Sequence, residues 1–520
     1  MNEQLTTIVN DGFYELIPKK KTVRWKLRRS HTKEIVLRHG HIAICDYALG
    51  DNFEFEKSLS SWDEMSFRYN RMAGHYVKEL HEFRLPRGYD LAMLSRFFPG
   101  YPVRFDNDAY PADSPEYSLL TPPKDDTQKA ALSFLCSQGD YRKNRHYTTL
   151  MLALETGKGK TYLSTAAAAF MHARVVVFVP IGKLLDQWKQ SFLDFTSLTE
   201  KEVKIIKGSD KCQAILEGKY RDVKVFIFSI DTVVSYANRY GDLEAMEMLM
   251  ATNAYLKVID EVHMDIKAVS HIEALSNQRM TIYASASPGR STSKENWIFN
   301  TIYRNVPRFG SEFSTEEEKF LDIMAVYYRY APTTVEMGLM VNKRTKWLNG
   351  MKYEEVLLNA PTELTHDFFD KLRAMLNWSK KLLKDGNKIM ILCASRQGTH
   401  RMEEIAEEIF PGKCAHYYET GMSRAEKAEA LKKTVICATV KSLGTGADIR
   451  GIQHVHNIST YANWIGANQT PGRARQLKDG TQVVYVEYVN VGFRKTLNQY
   501  EKHKAELKKK TRTGKIITIQ

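Results

Sequence analysis

The chain has 520 residues, 43% of them hydrophobic, and a formal net charge of +14. That length predicts about three domains, and the apolar share is enough for packed cores, while no apolar run is long enough to cross a bilayer, which excludes a membrane-embedded class. The excess of positive charge favours a polyanionic partner.

The polar start MNEQLTTIVNDG predicts no secretory signal. The six cysteines are scattered, with no C-x-x-C pair. They predict a reducing, cytoplasmic setting with no zinc site and no disulfide frame. Residues 1–112 read as a small α+β module, with a helix over Ala92–Phe98 before Pro-Gly. Pro18 to Arg29 (PKKKTVRWKLRR) is basic around one tryptophan, and Trp62 to Arg71 (WDEMSFRYNR) interleaves aromatics with charge. Arg28 and Arg29 suit phosphates, and Trp25, Phe67 and Tyr69 suit stacking on bases. The plainer alternative is a solvated basic face over a small core. Tyr110 to Pro123 holds four prolines and reads as a linker. After it a helix begins near Asp125, capped by Asp126 or Thr127.

Leu152 to Thr161 (LALETGKGKT) is the densest signal in the chain. The apolar run Thr149 to Leu154 predicts a buried strand. Thr156, Gly157, Lys158, Gly159, Lys160 and Thr161 then make a glycine turn, and Tyr162 to Phe170 predicts a helix. Such a turn lets backbone N–H groups close on phosphate oxygens at a helix N-terminus. Lys160 is expected to reach the β/γ-phosphates of ATP, and the Thr161 hydroxyl to ligate Mg²⁺. Leu154 stands where the strict phosphate-loop pattern has its first glycine.

Apolar runs recur at Val175–Pro180, Val223–Ile230, Tyr255–Asp260 and Met280–Ala284, with helical stretches between several of them. This alternation predicts a parallel sheet covered on both faces. Asp260 and Glu261 close one such strand, the end at which α/β proteins bind ligands. Asp260 is placed to hold Mg²⁺ and Glu261 to orient the attacking water. A second series runs through Ile389–Cys393, Val435–Ala438, Val455–Ile458 and Val483–Val489, without sequence repetition of the first. The tail Gln499 to Lys515 is lysine-rich and reads as fraying or lying on DNA.

Gly-Lys-Thr, Asp260-Glu261-Val262-His263 and Ser285-Ala286-Ser287 stand in the order and spacing that resemble superfamily 2 helicases of the DExH type. That resemblance covers residues 125–490. It implies two tandem RecA-like lobes, 113–312 and 313–520, behind the 1–112 module. It assigns Gln128 to adenine, His263, Ser285 and Ser287 to coupling, and Pro180, Gln187, Ser229 and Thr232 to the nucleic-acid backbone. In the second lobe Ser395 and Arg396 resemble motif IV. Lys441 and Thr445 (backbone) with Gly446 and Asp448 (nucleotide) resemble motif V. Gln469 to Arg475 resembles motif VI, whose arginines reach the γ-phosphate. Arg473 is the expected finger. The family's second arginine would fall at Gln476, so Arg475 stands one position early.

More narrowly, Ser60 to Phe105 and the Gln-Thr-x-Gly-Arg wording resemble the UvsW-type helicases of bacteriophages. The implied activity is ATP-dependent unwinding or remodelling of forked and branched DNA in replication, recombination and repair. It implies a monomeric motor with replication or recombination proteins as partners and no membrane. Competing readings are a restriction-type translocating subunit, an RNA helicase, and a nucleic-acid-binding scaffold with a silent ATPase.

Overall fold

In the first lobe seven strands run in the order Val203–Ile206, Val225–Ser229, Val175–Val179, Leu256–Ile259, Met280–Ala284, Thr149–Leu152 and Arg308–Phe309. Every neighbouring pair is parallel. The strands are rich in valine, isoleucine and phenylalanine, and nearly every residue is buried, as a sheet covered on both faces requires. Successive residues feed opposite layers. Leu152, Val177, Val258 and Ile282 enter one core, and Met151, Phe178, Ile259 and Tyr283 enter the other. This computed structural model describes residues 14–19, 22–27, 30–63, 68–136, 149–154, 158–180, 182, 184–285, 293–310, 321–342, 348–418, 421–443, 449, 451–459, 477 and 481–520.

The second lobe is another seven-stranded parallel sheet, ordered Cys414–Tyr417, Val435–Thr439, Lys388–Cys393, Ile452–Asn457, Val483–Asn490, Leu321–Tyr328 and Ile517–Ile519. Numbered along the chain within each lobe, both sheets read 3-4-2-5-6-1-7. The fold is therefore two RecA-like α/β lobes in tandem, preceded by a small α+β module, with the lobes sharing a topology that their sequences do not advertise. The lysine-rich tail is not a fray. Tyr500 and Leu507 bury one side of helix Arg494–Lys510, and the edge strand Ile517–Ile519 pairs with Leu321–Tyr328. Among the described residues no helix is long and apolar enough to cross a membrane.

The N-terminal module is a five-stranded sheet, His75–Val77, Glu82–Pro86, His41–Ile44, Ile35–Leu37 and Val103–Phe105. Its pairs are antiparallel except the last. Helix Leu91–Phe97 is capped by Asp90, and part of the basic stretch forms the hairpin Tyr14–Lys19 with Thr22–Leu27. Residues 1–314 make one compact unit and 315–520 another. Within the first unit, Ile42, Phe83 and Leu85 share a core with Ile272, Leu275 and Tyr303. His41 Nδ1 lies 3.0 Å from the Ser276 carbonyl, and Gly40 N donates to Asn277 Oδ1 at 3.0 Å. A Cβ on Gly40 would meet Ser276 O at 2.2 Å, so only glycine allows this approach. The proline-rich stretch is a strap rather than a free joint. Tyr110 Oη donates to Leu275 O and Tyr117 Oη to Ala173 O, each at 2.7 Å.

Beneath that seam lies a buried ionic triad. Arg38 donates twice to Glu82, both at 2.9 Å, and Arg84 Nε donates to Glu82 at 2.7 Å and Nη1 to Ala274 O at 2.6 Å. Burial by itself would raise the Glu82 carboxyl, yet the two guanidinium groups hold it at about 2, against an ordinary 4.5. An acid depressed on folding stabilises above its unfolded value and ceases to as pH falls through the folded one. The first unit should thus lose on the order of 3 kcal/mol from this group between pH 4.5 and about 2. Urea unfolding across that range should show the limb in the wild type and a flatter one in Glu82→Gln; parallel profiles would count against the triad's role.

Candidate nucleotide site and nucleic-acid-facing edge

Strand order alone gathers the first lobe's chemistry. Leu256–Ile259, Met280–Ala284 and Thr149–Leu152 are neighbours, so the turns that leave them open on one edge. Helix Lys160–Phe170 begins there, with Gly159 as N-cap at φ 87°. Its alanines, Ala166 to Ala169, are buried and let it pack closely. Gly159 is required twice: its φ is left-handed, and a Cβ would meet Gln128 Nε2 at 2.7 Å. Gln128 therefore lies beside the loop, its Oε1 accepting Lys124 N at 3.0 Å. The helix cap is Asp125, which accepts Gln128 N at 2.8 Å, and not Asp126 or Thr127. Aspartate and threonine both cap well, and the backbone selects Asp125.

Lys160 is buried, and its ammonium donates to the Leu154 carbonyl at 2.9 Å. Thr161 is half-buried and Lys158 exposed. Asp260 is buried at the end of its strand, tied by its N–H to Phe178 O at 3.0 Å. Its Oδ1 accepts Glu261 N, and its Oδ2 accepts the indole N–H of Trp188, both at 2.9 Å. Burial pushes the Asp260 carboxyl up and the Glu261 carboxylate adds to this, while Trp188 and the Lys160 ammonium oppose it. Glu261 sits at φ 47°, a region rare for a side-chain-bearing residue. Its Oε2 is buried without a hydrogen-bond partner among the described residues, 3.4 Å from His263 Nδ1. His263 Nδ1 is 2.8 Å from Ser285 Oγ, and both residues are fully buried. A bridge thus runs from the acidic turn to the next strand's end.

These residues fit a nucleoside triphosphate with its divalent cation. The ammonium at a glycine-capped helix start suits phosphate. Two adjacent carboxyl groups, one carrying an unpartnered oxygen, suit a cation and a polarised water.

The other half of the same edge carries the residues expected to face the nucleic-acid backbone. Val179 and Ser229 are register partners on adjacent strands, and Pro180 follows the first. Ser229 accepts Thr232 N at 3.2 Å, capping helix Ile230–Tyr240, and the two hydroxyls lie 2.7 Å apart. Gln187 is exposed on helix Leu184–Phe195. The second lobe repeats the device after its own fourth strand, where Thr439 Oγ1 and Ser442 Oγ lie 2.6 Å apart. Ser395 caps helix Arg396–Ile409 and is engaged inward: it accepts Gly398 N at 2.9 Å and donates to Glu354 Oε1 at 2.7 Å. Arg396 is the outward member, its guanidinium 5.2 Å from the centre of the Tyr418 ring. Trp25 and Lys441 are placed by their backbones alone, on strand Thr22–Leu27 and helix Val440–Leu443. Thr156, Gly157, Ser287, Thr445, Gly446, Asp448, Arg473, Arg475, Arg28 and Arg29 lie outside the described residues.

Trp188 belongs with Pro180 and Gln187 to the stretch that resembles the family's backbone-contacting motif Ia, and the fold puts its N–H on Asp260. Glu354, on helix Gly350–Asn359, accepts from Ala394 N, Ser395 N and Ser395 Oγ at 2.5, 2.8 and 2.7 Å; no motif marks it.

Residues 123–290 match the family described as type III restriction enzyme, res subunit. That span holds Gln128, Lys160, Trp188, Asp260 and Ser285. The chain is also similar to the DNA 3'-5' helicase XPB of Kineococcus radiotolerans, 26% identical over 152 residues, which are 29% of this chain and 25% of that helicase. The chain thus matches about a quarter of the length of that curated relative. Together these likenesses support a helicase-type ATPase of superfamily 2.

Trp188→Phe keeps an aromatic ring in the core and removes the donor on Asp260. Its kcat for nucleoside-triphosphate hydrolysis should fall about tenfold, the effect of one hydrogen bond to a charged group; an unchanged kcat would make the contact merely structural. Glu354→Ala leaves three donors without acceptors and should destabilise the second lobe by about 2–4 kcal/mol in urea unfolding.

Proposed function

We propose that the chain is an ATP-dependent DNA helicase or translocase that remodels forked and branched DNA in replication, recombination and repair, as the UvsW-type helicases of bacteriophages do. The observation that carries this reading is the meeting of Lys160, Asp260, Glu261 and the His263–Ser285 bridge on one sheet edge, beside Pro180, Ser229 and Thr232. Bound ATP with Mg²⁺ supplies the phosphoanhydride bond whose cleavage drives movement. Lys160 exchanges its carbonyl partner for phosphate, Thr161 and Asp260 hold the cation, and Glu261 orients water. His263 and Ser285 pass the state of the acidic turn to the neighbouring strand end, and Gln128 reads the base. Arg473, with Arg475 as a shifted partner, supplies guanidinium groups to the γ-phosphate. Backbone contacts by Ser229, Thr232 and Arg396 predict strong salt dependence and little sequence preference. Residues 1–112 act as the accessory DNA-binding domain of a monomeric motor.

The test is ATP hydrolysis with no nucleic acid, single strand, plain duplex, fork, four-way junction and matched RNA, beside Lys160→Ala and Glu261→Gln. The strongest stimulation should come from branched DNA. Lys160→Ala should lose turnover by at least about a hundredfold, and Glu261→Gln should bind ATP and stall. Equal stimulation by plain duplex would move the reading to a restriction-type translocase. Preference for RNA would overturn the substrate, and wild-type silence on every substrate would leave a binding scaffold.

A further inference from the structure

Two imidazoles and a carboxylate from three elements meet where the N-terminal sheet touches the first lobe. His75 opens the edge strand His75–Val77, Asp242 opens helix Asp242–Met250, and His271 lies on helix Ile266–Leu275. His75 Nε2 is 2.7 Å from Asp242 Oδ2, and His271 Nε2 is 3.1 Å from Asp242 Oδ1. The rings are stacked, 3.7 Å between centroids and 17° between planes. One donor atom from each residue falls in a set lying within 4.8 Å of one another. The three side chains are 26%, 15% and 11% exposed, so the cluster is sheltered yet open to a small ion.

As a hydrogen-bonded cluster this arrangement is awkward. Both rings must present an N–H from the same nitrogen to one carboxylate, and their parallel dipoles then lie side by side and repel. A cation removes the conflict, since each ring offers a lone pair instead. Two imidazoles with a carboxylate suit imidazole-favouring divalent ions. Tetrahedral bonds of about 2.0–2.1 Å place donors about 3.3 Å apart, so the contacts need open by only tenths of an ångström. The expectation of no zinc site rested on the cysteines, and this cluster uses none of them.

We infer that His75, Asp242 and His271, with water as the fourth donor, form a Zn²⁺-class site that staples the N-terminal sheet to the helix following the Asp260–Glu261 turn. Each ligand lies on a different element, so binding the ion holds the module in place. The site stands independently of the helicase reading.

The test uses the full untagged chain. Its reference is the second-lobe cluster His400, Glu403 and His416, whose donor atoms also lie within 4.8 Å of one another. Zinc content by elemental mass spectrometry and affinity by competition with a chromophoric chelator should give one Zn²⁺ lost in His271→Gln and Asp242→Asn, with affinity lowered at least about tenfold. His416→Gln should retain it. EDTA should lower the first thermal transition of the wild type and leave that of His271→Gln unmoved. Cobalt reads the unaltered protein directly: visible bands of a four-coordinate nitrogen and oxygen set are expected. A wild type that binds no zinc, a six-coordinate cobalt spectrum, or binding lost only in His416→Gln would each overturn the assignment.

Discussion

The first lobe depends on keeping two carboxyl groups and an ammonium at the ends of two strands that flank a third, with little water to screen them. Charges in such surroundings are tolerated only when each is partnered. Trp188 serves Asp260, the Leu154 carbonyl serves Lys160, and His263 stands beside Glu261 while resting on Ser285. Leu154 and His263 are local to the charges they serve, whereas Trp188 is brought to Asp260 from 72 positions away by the strand order. One Glu261 oxygen has no hydrogen-bond donor among the described residues and faces His263 Nδ1 at 3.4 Å.

The N-terminal module answers to a different constraint. Helix Ile266–Leu275 follows the acidic turn and is buried almost throughout, and Ile42, Phe83 and Leu85 form part of its cover. Removing residues 1–112 as a block, which the sequence pattern invites, would strip that cover. Point changes on the module's surface are the better probe of what it touches.

Much of this was legible in the sequence. Continuous runs such as VVVFV and VFIFS mark buried parallel strands, and the glycine turn before an alanine-rich helix marks the phosphate loop. Local pattern could not supply direction or distance. Nothing in LLDQW says that the indole points at an aspartate 72 positions away. The partners of the imidazole cluster are 167 and 29 positions apart, and each looks like an ordinary surface residue. The edge strands Arg308–Phe309 and Ile517–Ile519 are too short to show a period. The tail misled for another reason: its lysines outnumber the two residues, Tyr500 and Leu507, that dock it.

The shared strand order of the two lobes has a consequence for how a long polymer can be held. Each lobe carries a hydroxyl pair three residues apart at the end of its fourth strand: Ser229 with Thr232, and Thr439 with Ser442. On the function proposed above, a polymer with the same phosphate at every step would meet the same pair in both lobes. Among the described residues the ammonium and the paired carboxyl groups at the ends of strands one and five belong to the first lobe, so the shared strand order carries unlike chemistry in its two copies.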